Sequence, residues 1–339
     1  MIAAYGDRVS KLRTGVVGVG ALGQHHLRWY SRLEGSELVG LYDTDSTRAA
    51  ELAAKHSTVA FDSLESLAEQ IECASVVVPT SDHYAVARVL IEHGVHCLIE
   101  KPVTATYDQG LTLKRMAVEK GVKLAVGQIE RFNPAVQALV DLNVQPSFIE
   151  AHRLAAFDPR GTDVAVILDL MIHDIDLTLM LMASSIADIQ AAAVAVISDK
   201  PDIANARLTF DNGAVANLTA SRISLGAMRK LRIFQKSGYY SLDLAKRQAD
   251  LYNLAEPGQP AEGMRIPLGS SGKDVVYRKC PDSGLDMLGA ELGSFLEAVA
   301  EGHDTVVPMD QGLEALRVAL EVERIGLESA NKVMEASTE

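Results

Sequence analysis

Thr14-Gly15-Val16-Val17-Gly18-Val19-Gly20-Ala21-Leu22-Gly23 is an apolar run that breaks into glycines, and Asp43 follows twenty positions after the last of them. The run reads as a buried strand entering a tight turn and then a helix. Gly18 permits the turn, Gly20 lets backbone approach a pyrophosphate, and Gly23 allows close helix–strand packing, while the helix N-terminus, with Ala21 and Leu22 in its first turn, faces the phosphates. Asp43 ends the next apolar segment, Glu37-Leu38-Val39-Gly40-Leu41-Tyr42, where its carboxylate can accept hydrogen bonds from the adenosine ribose hydroxyls. Glycine turns without a ligand are common, but a strand before, an amphipathic stretch to about Leu33 after, and an acid at the expected distance together predict a dinucleotide pocket. A carboxylate repels a 2′-phosphate, so NAD is expected in preference to NADP. Arg48, a helical turn or so beyond, could meet that phosphate, though a solvated helix residue is the simpler reading.

Outward from this motif, residues 14 to about 126 alternate short apolar runs with helix-length segments. Strands are predicted at Gly15–Val19, Glu37–Asp43, Thr58–Phe61, Ala74–Val78, Val95–Glu100 and Val122–Val126. Six strands joined by right-handed crossovers make a doubly wound parallel sheet, an α/β domain over residues 1–128. The remainder, 129–339, has another texture. A strand at Phe148–Leu154 and a helix at Asp163–Ala183 precede six strand candidates between Ala191 and Tyr252, with Asp211-Asn212-Gly213 as a hairpin signal. Hairpin-linked strands imply an α+β domain with an open-faced, mainly antiparallel sheet. Residues 255–284, rich in Pro, Gly and Ser, are expected as a loop, and two terminal helices near 285–302 and 309–330 pack back on the fold. The uncovered sheet face suggests a homodimer or homotetramer through it.

A chain of 339 residues suits two domains, and 48% hydrophobic with 23% charged residues suits a soluble protein. The formal charge of −13 argues against a nucleic-acid partner, which needs a basic face. No apolar run reaches the roughly 18 residues of a membrane span, and Met1–Arg13 is too polar for a signal peptide, so a cytoplasmic location is expected. Cys73, Cys97 and Cys280 are odd in number and widely spaced, which suits free thiols and no metal.

Ligands of such a sheet bind outside the carboxyl ends of its strands. The fifth strand ends in Glu100-Lys101-Pro102, where a lysine could reach a substrate hydroxyl beside the nicotinamide or could simply be exposed. Asp169 and His173 are i,i+4 neighbours in Asp169-Leu170-Met171-Ile172-His173-Asp174-Ile175-Asp176, with Asp176 about one turn further on. Burial and a nearby carboxylate push a histidine in opposite directions, and a value near working pH suits proton transfer. An ordinary helix ion pair has the same pattern.

Gly18-x-Gly20-x-x-Gly23 with His26, Pro79 followed by His83, Glu100-Lys101-Pro102 and Asp169-x-x-x-His173 together resemble the Gfo/Idh/MocA oxidoreductases. The resemblance extends to the terminal stretch from Gln311 to Ala330. It implies NAD(P)-linked hydride transfer at a sugar or polyol hydroxyl, with Lys101, Asp169 and His173 as the catalytic trio. It also implies that Pro79, Thr80 and His83 flank the nicotinamide ribose and that Glu100 is part of the cofactor site. The glycine pair that the family carries upstream of the aspartate is replaced here by Val166-Ile167-Leu168. Gly127-Gln128-Ile129-Glu130-Arg131-Phe132-Asn133-Pro134 and Phe148–Arg153 are similar to members acting at C3 of UDP-N-acetylglucosamine. That likeness implies substrate contacts at Gln128, Arg131, Asn133 and Arg153, although Arg131 could equally pair with an acid. A diphosphate would need cations on this acidic chain, and Arg131, Arg153, Arg160 and Arg222 are the candidates. An inositol or simple sugar dehydrogenase needs no such clamp. A regulator that binds NAD without catalysis needs neither the clamp nor the trio.

Overall fold

The computed structural model describes residues 11–158, 164–256, 262–269 and 272–336. The chain divides into two compact units, 1–129 with 286–314, and 130–285 with 315–339.

The first unit alternates strand and helix: β1 Leu12–Val17, α1 Gly23–Tyr30, β2 Ser36–Tyr42, α2 Ser46–His56, β3 Val59–Ala60, α3 Leu64–Ala68, β4 Cys73–Val76, α4 Thr80–Glu92, β5 His96–Glu100, α5 Tyr107–Lys120 and β6 Leu124–Gly127. The sheet runs β3-β2-β1-β4-β5-β6, and every pairing in it is parallel. This is the expected doubly wound order, and its reversal between β1 and β4 opens a ligand crevice at their carboxyl ends. The first four strands stop one or two residues before the sequence reading because the turns begin early, with β1 stopping at Val17 so that Gly18 is already turning. Helix starts are fixed by side chains at Asp45, Ser63 and Thr106, each accepting from a backbone N–H of the first turn. Val16, Leu41 and Leu98 of the sheet pack with Leu27 and Tyr30 of α1. A later helix, α8, joins this core through Leu292 and Phe295.

The second unit holds a short α6 Pro134–Gln137, then β7 Phe148–Leu154, a π-turn Ile167–Met171 and α7 Ile172–Met182. Eight strands follow: β8 Ile186–Val194, β9 Ile203–Phe210, β10 Val215–Ser221, β11 Met228–Gln235, β12 Gly238–Asp243, β13 Gln248–Ala255, β14 Met264–Pro267 and β15 Asp274–Cys280. The chain then enters α8 Met287–Glu301 and ends in α9 Met309–Ala336, within which the division between units falls. The nine-stranded sheet has the order β14-β15-β13-β12-β11-β7-β10-β9-β8. Its pairings are antiparallel except β7 with β10. Gly213 supplies the left-handed φ of 82° for the β9–β10 turn, as its sequence predicts.

Burial alternates along β9 and β10, so Ala204, Ala206, Ala216 and Leu218 enter the core while Asn205, Arg207, Asn217 and Thr219 face outward. Two expectations change. Residues 255–284 are not one loop: β15 pairs with β13 and β14 pairs with β15, and this pairing overrides the local Pro, Gly and Ser content. The helix expected from Asp163 opens instead as the π-turn, and its first residue and Arg160 lie outside the described residues.

Candidate active site

Gly18 turns with φ 84°, and a Cβ there would meet the Val77 carbonyl oxygen at 2.5 Å. A Cβ on Gly23 would lie 1.9 Å from the Gly18 oxygen, so only glycine lets α1 start against the turn. A Cβ on Gly20 meets nothing within 4 Å, which leaves room for a ligand's phosphates beside the backbone. No side chain caps the N-terminus of α1, and Ala21 and Leu22 are exposed beside it. Uncapped N–H groups there suit an anion.

Asp43 stands directly over this turn. Its Oδ2 accepts from Val19 N–H at 2.7 Å, and its Oδ1 accepts from Asp45 N–H at 2.8 Å and from Arg48 at 2.7 Å. Burial raises the Asp43 carboxyl, but Arg48 and the two backbone donors outweigh it and hold the group below its ordinary value. Arg48 is therefore not merely a solvated helix residue; it is the ion-pair partner of Asp43.

Glu100 closes β5 beside the same crevice. Its Oε1 lies 3.3 Å from Nε2 of fully buried His26, and its Oε2 accepts from the Lys101 backbone N–H at 3.3 Å. A Cβ on Gly127 would meet that carboxylate at 2.9 Å, so glycine there makes its room. Lys101 is half-buried, and its bond to Pro102 is cis. Pro79 precedes the first residue of α4, Thr80. His83, expected at the cofactor ribose, is 1% exposed, with its ring nitrogens 2.8 Å from the Pro102 oxygen and 2.9 Å from the Val78 oxygen. It binds the two loops together from within. Burial drives its pKa down, against the opposing effect of those carbonyls.

In the second unit, Asp169 lies inside the π-turn and His173 at the start of α7; both are half-buried, while Val166 and Ile167, which replace the family's glycines, are buried. π-turns interrupt helices at functional sites more often than elsewhere. The segment before the turn is pinned: Val166 N–H donates to the Pro201 oxygen at 3.0 Å, and Arg222 donates to Val164 and Pro201 oxygens at 2.7 and 2.9 Å. Arg222 also lies 3.2 Å from Asp202. Asp176, expected further along the same face as His173, is instead buried.

The partner of Asp176 is one of the expected substrate residues. Arg131 donates from Nε and Nη2 to Asp176 at 2.7 and 2.6 Å. Arg153 donates twice to Asp174, at 3.0 and 2.8 Å, and once to Glu130 at 2.7 Å. Asn133 caps α6 and donates to Glu130 and to the Leu244 oxygen. Gln128, Arg131, Asn133 and Arg153 are between 1% and 5% exposed. For the two arginines and Asn133, the polar atoms hold η1, α6 and β7 to α7 through these bonds, where η1 is the 3-10 turn Ile129–Phe132. Two carboxylates share the single Arg153 guanidinium. Burial therefore leaves Asp174 raised above its ordinary value, and Arg153 is held all the more firmly charged by its two acids. The signal available in the sequence was three aspartates among apolar residues on one helical segment, which marks buried ion pairs as well as catalysis.

Residues 12–128 match the oxidoreductase family with NAD-binding Rossmann fold, and 145–241 match the GFO/IDH/MocA C-terminal domain. UDP-N-acetylglucosamine 3-dehydrogenase of Acidithiobacillus ferrooxidans is 40% identical over 322 residues, covering 94% of this chain and 98% of that protein. A solved structure of that enzyme superposes with a TM-score of 0.86, over 94% of this chain and 99% of the other. Inositol 2-dehydrogenase of Mycolicibacterium smegmatis is 31% identical but covers 53% of this chain and 56% of that protein. Two family models, an end-to-end relative and a coincident fold lead to one conclusion: the chain belongs to the Gfo/Idh/MocA family of oxidoreductases.

Proposed function

We propose that this oxidoreductase uses NAD to oxidise the C3 hydroxyl of a UDP-N-acetylglucosamine-type nucleotide sugar. The observation that carries the reading is the match from end to end, at 40% identity, with a UDP-N-acetylglucosamine 3-dehydrogenase, against shorter and more distant matches to inositol dehydrogenases. The glycine turn, the uncapped α1 and Asp43 fit a dinucleotide, and the negative charge of Asp43 favours NAD over NADP. A nicotinamide dinucleotide held at Gly18, Gly20, Gly23 and Asp43 would supply the hydride acceptor for the sugar carbon. His173 takes the hydroxyl proton, Asp169 orients its imidazole and stabilises the imidazolium, and Lys101 serves as a hydrogen-bond donor to the substrate. Phe148, Phe234, Tyr239, Tyr252 and Tyr277 form a ladder of rings on the sheet, at centroid spacings of 5.7, 4.8, 5.6 and 5.0 Å. A second copy of the chain covers that face in a homodimer.

The reading is tested by product and by mutation together. Incubation with UDP-N-acetylglucosamine and NAD yields the 3-oxo sugar by NMR, and Lys101→Met lowers turnover by roughly 10²-fold while NAD still binds. Undiminished turnover in Lys101→Met removes the lysine from the mechanism.

A further inference from the structure

A nucleotide-sugar diphosphate arriving near His173 meets an acidic neighbourhood. Asp169 lies four residues before that histidine, and Asp174 and Glu130 share one guanidinium behind it. Three arginines that sequence alone offers to the diphosphate are already engaged: Arg131 by Asp176, Arg153 by Asp174 and Glu130, and Arg222 by Asp202 and two carbonyls. Withdrawing any of them would strand a buried carboxylate or carbonyl, which costs more than a new phosphate contact returns.

The strand register supplies a different cation. Arg229 of β11 pairs directly with Arg153 of β7. Directly opposed residues of an antiparallel pair share a face, and Arg153 points to the face that α7 covers, since it grips Asp174 there. The neighbours agree: Leu231, two residues along β11, is fully buried on that face, and the Arg229 oxygen accepts from the N–H of buried Leu244 at 2.8 Å. Arg229 sits at the open end of this face and is exposed. Its guanidinium has no hydrogen-bonded or ion-paired side chain among the described residues, while its charge is near enough to act on Asp174, the residue after His173. Lys230, by contrast, pairs with His152 on the opposite face.

We propose that Arg229 is the diphosphate-binding residue of the substrate site, its planar fork engaging the phosphate oxygens of a nucleoside-diphosphate sugar whose hydroxyl is presented to His173. Arginine suits the task because its guanidinium bonds two phosphate oxygens at once and is always charged. The placement also explains the buried arginines, which fix β7 and α7 behind Arg229 and leave it the exposed member of the group. The assignment rests on the nucleotide-sugar reading above.

The experiment compares intact wild-type enzyme with Arg229→Gln, Arg229→Lys and the control Lys230→Gln. It follows NADH absorbance with UDP-N-acetylglucosamine, and measures inhibition by UDP and NAD affinity by fluorescence. In Arg229→Gln, KM for the nucleotide sugar and the inhibition constant for UDP rise together by about 10- to 100-fold, the scale of a lost charge-assisted contact. The loss falls on KM rather than kcat, NAD affinity holds, Arg229→Lys recovers part of it, and Lys230→Gln behaves as wild type. The assignment is overturned if wild type oxidises UDP-N-acetylglucosamine and Arg229→Gln leaves both constants unchanged, or lowers kcat alone, which would mark a residue acting only through Asp174. A wild type that neither oxidises the nucleotide sugar nor is inhibited by UDP overturns the underlying reading first.

Discussion

At the scale of single residues, charge and burial separate three kinds of group that look alike in sequence. Asp43 is an acid at a strand end with three donors already on its two oxygens. Asp43→Ala is expected to weaken NAD binding by about 10- to 100-fold, the loss of a charged hydrogen-bonding group, and to narrow the preference over NADP, measured by fluorescence titration of both cofactors. Arg153 is a structural charge between two buried acids. Arg153→Met strands Asp174 and Glu130 and lowers unfolding stability by about 3–5 kcal/mol, whereas exposed Arg229→Gln stays within about 0.5 kcal/mol; denaturant titration of the two distinguishes them. The glycines and Asp43 were legible because their chemistry is local. The occupation of Arg131 and Arg153 was not, because their partners Asp176 and Asp174 lie 45 and 21 positions away, and only the packing of α7 onto β7 brings them together.

At the scale of elements, the turn into α1 and the β8–β9 loop are tested separately. Gly23→Ala drives a Cβ into the Gly18 oxygen, so both stability and NAD affinity fall. Gly20→Ala enters open space without a left-handed φ, so NAD affinity falls while the melting temperature holds. Equal loss of stability in both variants would refute this division. In the β8–β9 loop, fully buried Asp202 accepts from the N–H groups of Val196, Ile197 and Ser198. Burial alone would raise its pKa; these donors and the Ser198 hydroxyl outweigh that and hold it below the ordinary 3.8. A depressed carboxyl stabilises the fold above its unfolded value and loses that contribution as pH falls through the folded one. The melting temperature should therefore fall as pH drops below about 4, and Asp202→Asn, less stable at neutral pH, should show a shallower acid fall. The π-turn was not legible, since Asp169-x-x-x-His173 fits an ordinary helix equally well. β14 and β15 were hidden by loop-like composition and exist through pairing, β15 with β13 and β14 with β15.

At the scale of the whole molecule, periodicity carried the parallel sheet and the hairpin-linked sheet, because alternation of burial is written into residues such as Ala204 to Leu208 and Ala216 to Ala220. The order β7 between β11 and β10 needed the structure, since no local pattern specifies which strand a long connection rejoins. The aromatic ladder argues for self-association, and Phe234→Asp with Tyr239→Asp should convert a dimer to a monomer by sedimentation at micromolar concentration. A monomeric wild type would contradict that. No described helix is long and apolar enough to cross a membrane. The central claim, that this family member oxidises a nucleotide sugar, is tested most directly by titrating UDP-N-acetylglucosamine and myo-inositol separately in an NADH-absorbance assay with NAD. Saturable NADH formation with the nucleotide sugar and none above background with inositol are expected; turnover of inositol with no response to the nucleotide sugar would contradict the assignment.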